Sequence, residues 1–241
     1  MIKVLLLLTL ILSTTFQAAS AGTLARQIKS LPSVLKKAGL PPADLNCSGS
    51  LENQSETSTL YSPHNRKNIE LTVLSPKRAS EIFNTLKNDE DNSFNYPADG
   101  CYARAHRMAM VMDEMGVVSG KAFVEGELYV QTSMGEIGWT YHVASLVLVK
   151  KDGKLVPTVF DPGLFDHPVP FEEWKALLLK DSKSSFQSEY FTKRFNYDPD
   201  ARHDDLDQYN EEQVEDMKAA IKGFSRLGHM FEYMDNKEKG Q

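Results

Sequence analysis

Cysteine is scarce in this sequence: Cys47 and Cys101 are the only two in 241 residues. Two thiols cannot build a disulfide-dense scaffold or a four-thiolate zinc site. Positive charge is not in excess either. Lys and Arg number 27 against 33 Asp and Glu, a net charge of −6, so the basic footprint of a nucleic-acid binder is missing. No apolar run reaches the roughly 20 residues that a bilayer-spanning helix requires. What remains, 41% hydrophobic and 25% charged residues, is the composition of a globular protein and not of a disordered or fibrous one.

The first 21 residues stand apart. Lys3 precedes an apolar run from Val4 to Leu12, broken only by Thr9, and a polar stretch leads to Ala19-Ser20-Ala21. That order reads as a cleaved secretory signal ending at Ala21, with a retained anchor as the less favoured alternative. Without it the chain carries 26 basic and 33 acidic residues in 220. The expectation is a soluble protein exported to the periplasm or the medium, free of the membrane after cleavage, with nothing to suggest more than a monomer.

Residues 22–68 read as an N-terminal arm or pro-segment. Ala25 to Ala38 suits a short helix, and Asn46 to Asn68 is rich in Ser, Asn, Thr and Glu, as loops are. A catalytic domain is expected over 69–241. Ile69 to Leu74 suits a strand and Pro76 to Leu86 a helix with Pro in its first turn. A helix opening at Cys101 places Ala105, Met108, Ala109, Met112 and Met115 on one face and stops at Gly116. Ala122 to Val124, Leu128 to Thr132, Trp139 to Val149 and Leu155 to Phe160 are strand-like. The last two flank Asp152-Gly153, a strong hairpin signal. Glu172 to Leu179 is helical, Asn210 with Gln213 resembles a capping box for a helix ending at Gly223, and Phe224 to Met234 suits another helix. The fold class is α+β, a helix carrying Cys101 packed on an antiparallel sheet.

Cys101 follows Asp99-Gly100 at a helix start, where unpaired N–H groups and the helix dipole favour negative charge. Thiolate is the nucleophilic form of cysteine, and the same N–H groups suit an oxyanion. In an exported protein a Cys47–Cys101 disulfide is the competing reading, and position alone leaves both open. Among six histidines, His64, His203 and His229 lie in polar surroundings and His167 in a loop. His106 sits five positions after Cys101, about 140° around the helix. His142 lies inside an apolar strand and needs a partner. If Asp152-Gly153 form a two-residue loop, Asp161 falls opposite Ala144, diagonal to His142 and on the same face. That register sets a carboxylate beside the imidazole, which is the orienting arrangement of a nucleophile–base–acid triad in the order Cys101, His142, Asp161. The acidic residues from Asp198 to Asp207 lack the glycine and distal glutamate of an EF-hand, so a solvated loop is favoured over calcium.

Three blocks, Asp99-Gly100-Cys101-Tyr102-Ala103-Arg104-Ala105-His106, Trp139-Thr140-Tyr141-His142-Val143-Ala144 and Asp161-Pro162-Gly163-Leu164-Phe165, resemble those of the protein-glutaminase family in order and spacing. The resemblance extends over about 71–171. It implies a transglutaminase/papain-like core, with Cys101 as nucleophile, His142 as base and Asp161 as orienter. It also implies deamidation of protein-bound glutamine to glutamate through a thioester, protein or peptide substrates bearing accessible glutamine, a free Cys101 thiol and a pro-segment. Neither metal nor organic cofactor is implied. Tyr102, Trp139 and Tyr141 flank these positions and are candidates for lining a glutamine slot, with core packing as the alternative. Transglutamination and peptide hydrolysis share the triad. A non-catalytic binding module stapled by Cys47–Cys101 is the rival from another class.

Overall fold

The computed structural model describes residues 56–132 and 134–238. The signal-like start, the helix expected at 25–38 and Cys47 lie outside them. Seven strands and four α-helices follow in chain order. They are β1 (Thr57–Ser62), β2 (Lys67–Leu74), α1 (Pro76–Lys87), α2 (Cys101–Glu114), β3 (Gly120–Thr132), β4 (Gly135–Lys151), β5 (Lys154–Phe160), β6 (Val169–Pro170), α3 (Phe171–Leu178), β7 (Ser185–Lys193) and α4 (Glu211–Glu238), with a 3₁₀ turn at Pro199–His203 between the last two.

Most of the sheet is antiparallel, in the order β1-β2-β4-β3-β7, with β5 and β6 on the other edge of β4. The one parallel contact joins β2 to β4 through Val73 and Leu74 opposite Leu148 and Val149. There β2 takes the edge that β3, which begins at Gly120 opposite Leu146, leaves open. Residues 57–62, read from composition as loop, form β1 and pair with β2 from Thr57↔Thr72 to Ser62↔Lys67. Their hydroxyl-rich, weakly apolar sequence suits a sheet edge, where burial does not choose the residues.

Asp152 and Gly153 have φ of 52° and 76°, the left-handed conformation that a two-residue hairpin with matching twist demands. The pairing Lys151↔Lys154 through Ser145↔Phe160 is the register the turn predicts. The strand signals at 122–124 and 128–132 belong to one strand, interrupted by a bulge at Glu125–Leu128. Gly126 occupies it at φ 149°, and a Cβ there would overlap the Ser185 carbonyl oxygen of β7, so only glycine lets the two backbones approach.

Alternation along β4 divides the core. Val143, Val147 and Val149 face α1 and α2, together with Phe83, Met108 and Met112. Ala144, Leu146 and Leu148 face α3, together with Trp174 and Leu178. A third, smaller cluster joins α2 to α4 through Ala103, Tyr197, Met217 and Ile221. Asn210 Oδ1 accepts from the Gln213 N–H and caps α4, as the sequence indicates. The helix does not stop at Gly223 but runs on to Glu238. A mid-helix glycine costs only about 1 kcal/mol. Packing offsets it: Phe224 and Phe231 stack on Tyr96 at 5.7 and 5.9 Å, and Gly228 lets the Asn95 side chain press against the helix.

Candidate active site

Cys101 is the first residue of α2, and Gly100 before it takes the left-handed conformation at φ 81°. The Asp99 carboxylate accepts from the Gly100 N–H at 2.6 Å, and the first intrahelical bond runs from the Arg104 N–H to the Gly100 carbonyl. The N–H groups of residues 101–103 therefore have no intrahelical acceptor, which leaves the positive end of the helix at the thiol. Cys101 is a free thiol and is buried.

His142 and Asp161 meet as the hairpin register requires. The last ladder pair is Ser145↔Phe160, and Asp161 follows it directly. His142 Nε2 lies 2.8 Å from Asp161 Oδ2, and both residues are buried. The carboxylate is held from two further sides. Trp174 Nε1 donates to Oδ2 at 2.9 Å and the Gly163 N–H to Oδ1 at 3.2 Å. The imidazole lies between two indoles, Trp139 at 4.6 Å and Trp174 at 5.6 Å between ring centroids, both in stacked geometry.

Burial alone would push the His142 pKa down. The charge and hydrogen bond of Asp161, followed by those of Cys101, outweigh it and raise the value to about 9. Burial would likewise raise Asp161. His142, Trp174 and Arg104 together hold it below the usual carboxylate range. Since Nε2 is taken by Asp161, Nδ1 is the nitrogen left for the thiol. Nδ1 is buried without a hydrogen-bond partner of normal geometry among the described residues, the loose arrangement that such pairs show before a substrate arrives.

A stability signature follows. The folded pKa of His142 lies above its unfolded value of 6.5, so its contribution is complete below pH 6.5 and disappears as pH rises through about 9. Each pH unit in that window removes up to about 1.4 kcal/mol. The thermal midpoint is expected to fall by roughly 5 to 10 °C between about pH 6.5 and about pH 9.5. His142→Gln is expected to flatten that fall. A variant with the same decline as the wild type places its origin elsewhere.

The other sequence candidates separate by role. Trp139 is half-buried. Beyond its stack on His142, its Nε1 donates to the Ala98 carbonyl at 3.0 Å, which ties the loop before Cys101 to the imidazole. Tyr102 and Tyr141 are half-buried against the cluster that contains Cys101. Burial, followed by the charge of Cys101, raises the Tyr141 hydroxyl well above its ordinary range. Burial and Asp99 raise that of Tyr102. His106 faces away from the thiol. Its Nδ1 lies 2.8 Å from Lys121 Nζ, and burial with that lysine pushes its pKa down to about 2. His64, His167, His203 and His229 are exposed. The acidic run is used structurally: Asp198 caps the 3₁₀ turn, and Asp205 and Asp207 pair with Lys193. Among the described residues no three of His, Cys, Asp or Glu converge as metal ligands. Trp174 is the site residue that sequence reasoning missed. It lies 13 residues after Asp161, in a helix whose pattern shows only that it is buried.

A family model described as glutaminase matches residues 79–178. Among solved structures, the NMR structure of protein-glutaminase from Chryseobacterium proteolyticum is similar at a TM-score of 0.56 and 29% identity, covering 64% of this chain and 90% of its own. A crystal structure of protein-glutaminase matches at 0.53 and 28%, covering 63% and 87%. A crystal structure of pro-protein-glutaminase matches at 0.56 and 28%, and the match covers 64% of this chain and 59% of that one. No curated protein matches the chain.

Proposed function

We propose that the chain, which is similar to protein-glutaminases, hydrolyses the side-chain amide of protein-bound glutamine with Cys101, His142 and Asp161 as its catalytic residues. The observation that carries the reading is the buried His142–Asp161 bond at 2.8 Å, with the remaining imidazole nitrogen left to a free thiol at a helix start. With its pKa raised to about 9, His142 is protonated near neutral pH, and the nucleophilic form of the Cys101 sulfur is the thiolate. The sulfur attacks Cδ, and the N–H groups at the start of α2 receive the oxyanion. The Cδ–N bond breaks as His142 gives its proton to the departing nitrogen, releasing ammonia and leaving a thioester. His142 then takes a proton from water, whose oxygen attacks the thioester carbon. The sulfur leaves and glutamate remains. Asp161 keeps the ring oriented and its positive form stable throughout.

The signal-like first 21 residues support an exported enzyme, and the arm that follows has the place of a pro-segment. Hydrolysis and transglutamination differ only in what attacks the thioester. The test is a glutamine-bearing protein incubated with and without a primary amine. Ammonia release and conversion of amide to acid are expected in both cases, with little amine adduct. Dominant amine incorporation would overturn the hydrolase reading, and new N-termini would favour peptide hydrolysis.

A further inference from the structure

Arg104 is a buried cation that no step above uses. It sits on α2 three residues after Cys101 and is 6% exposed. Among the described residues no carboxylate lies within ion-pair distance of it. Its two side-chain hydrogen bonds go to backbone carbonyls, from Nη2 to Asp99 at 2.7 Å and from Nη1 to Tyr96 at 3.2 Å. Both carbonyls belong to the loop that delivers Gly100 and the thiol. A guanidinium enclosed in this way is costly, and two neutral acceptors do not offset the loss of water.

The charges around it do more. Burial lowers its pKa, and four groups act against that effect: Cys101 first, then Asp161, Asp99 and Tyr102. Cys101, three residues away on the same helix, is therefore the group that acts most strongly against the burial of this arginine. Other polar groups that interact electrostatically with Cys101 include His142 and Tyr141 from β4, Lys121 from β3 and Tyr102 from its own helix. Lys121 is committed to the Asn196 carbonyl and to His106, and burial drives it toward the neutral form. From α4 the group that reaches the turn is apolar, the Phe224 ring against Gly100. Arg104 is thus the one permanent positive charge in this set, since arginine does not deprotonate in proteins.

We propose that Arg104 is the positioning residue of the nucleophile, its planar fork holding the Tyr96–Gly100 loop by two carbonyls while its fixed charge favours the Cys101 thiolate. The inference rests on the thiol chemistry proposed above. The alkylation arm of its test reads the sulfur without any glutamine substrate, so a failure there is distinguishable from a failure of the hydrolase reading.

The experiment is the pH dependence of iodoacetamide alkylation at Cys101 in the full chain, followed by mass spectrometry of the Cys101 peptide so that Cys47 does not contribute. Arg104→Gln is expected to move the pH of half-maximal alkylation upward by about one unit, which slows alkylation about tenfold on the acid side. Arg104→Lys keeps the charge and is expected to keep that pH, but one ammonium cannot hold both carbonyls. Its kcat for ammonia release is expected to fall about tenfold with little change in KM. A folded Arg104→Gln with the wild-type alkylation profile overturns the proposal. Where Arg104→Gln does not fold by near-ultraviolet circular dichroism, the lysine variant decides. An unchanged profile with lowered kcat supports the role, and a profile displaced by a full pH unit overturns it.

Discussion

Asp161→Asn is expected to preserve the fold and to lower kcat for ammonia release by about three to four orders of magnitude, with KM nearly unchanged. The geometry shows why so small a change is so costly. Oδ2 accepts from two donors at once, His142 Nε2 and Trp174 Nε1. An asparagine presents one oxygen and one NH₂ group. With the NH₂ in the Oδ2 position, it faces both His142 Nε2 and the indole N–H, so the indole bond is lost and the ring proton is forced onto Nδ1. With the oxygen in the Oδ2 position, the NH₂ takes the place of Oδ1 and meets the Gly163 N–H, donor against donor, at a cost of about 1–3 kcal/mol. Either arrangement also removes the charge that raises the imidazole pKa. The check is steady-state ammonia release beside circular dichroism. A folded Asp161→Asn that keeps more than a tenth of wild-type kcat would remove the carboxylate from the mechanism.

The same pair shows how much of the site can be read in advance. The contact between His142 and Asp161 is legible because local rules set it: a two-residue turn at Asp152-Gly153 fixes which residues oppose one another, and side chains alternate strictly along a strand. The start of α2 is legible for a similar reason, since glycine before an apolar helical pattern marks a boundary. Trp174 is not legible. Its hydrogen bond to Asp161 depends on how α3 settles onto the α3-facing side of β4, and sequence spacing carries no information about that docking. The part played by Trp139 is equally hidden. Its indole N–H is spent on the Ala98 carbonyl and its ring on His142, so it braces the site.

Elsewhere the failures share a physical cause. Residues 57–62 lack the apolar alternation of a strand because β1 sits at the sheet edge. Gly223 carries the local mark of a helix stop, yet α4 is held by tertiary contacts, the Phe224 and Phe231 stacks on Tyr96, that a local signal does not report. In both places packing across the chain overrides local preference. At the hairpin and the nucleophile turn the two agree.

One sulfur carries the whole proposed mechanism, and replacing it is the decisive measurement. Ammonia release from a glutamine-bearing protein is compared for the wild type and Cys101→Ala, both folded by circular dichroism and at equal concentration. Loss of the nucleophile is expected to reduce release by at least about four orders of magnitude, to the level of the uncatalysed background. Equal release from the two proteins would contradict the assignment of Cys101 and, with it, the roles given to His142 and Asp161.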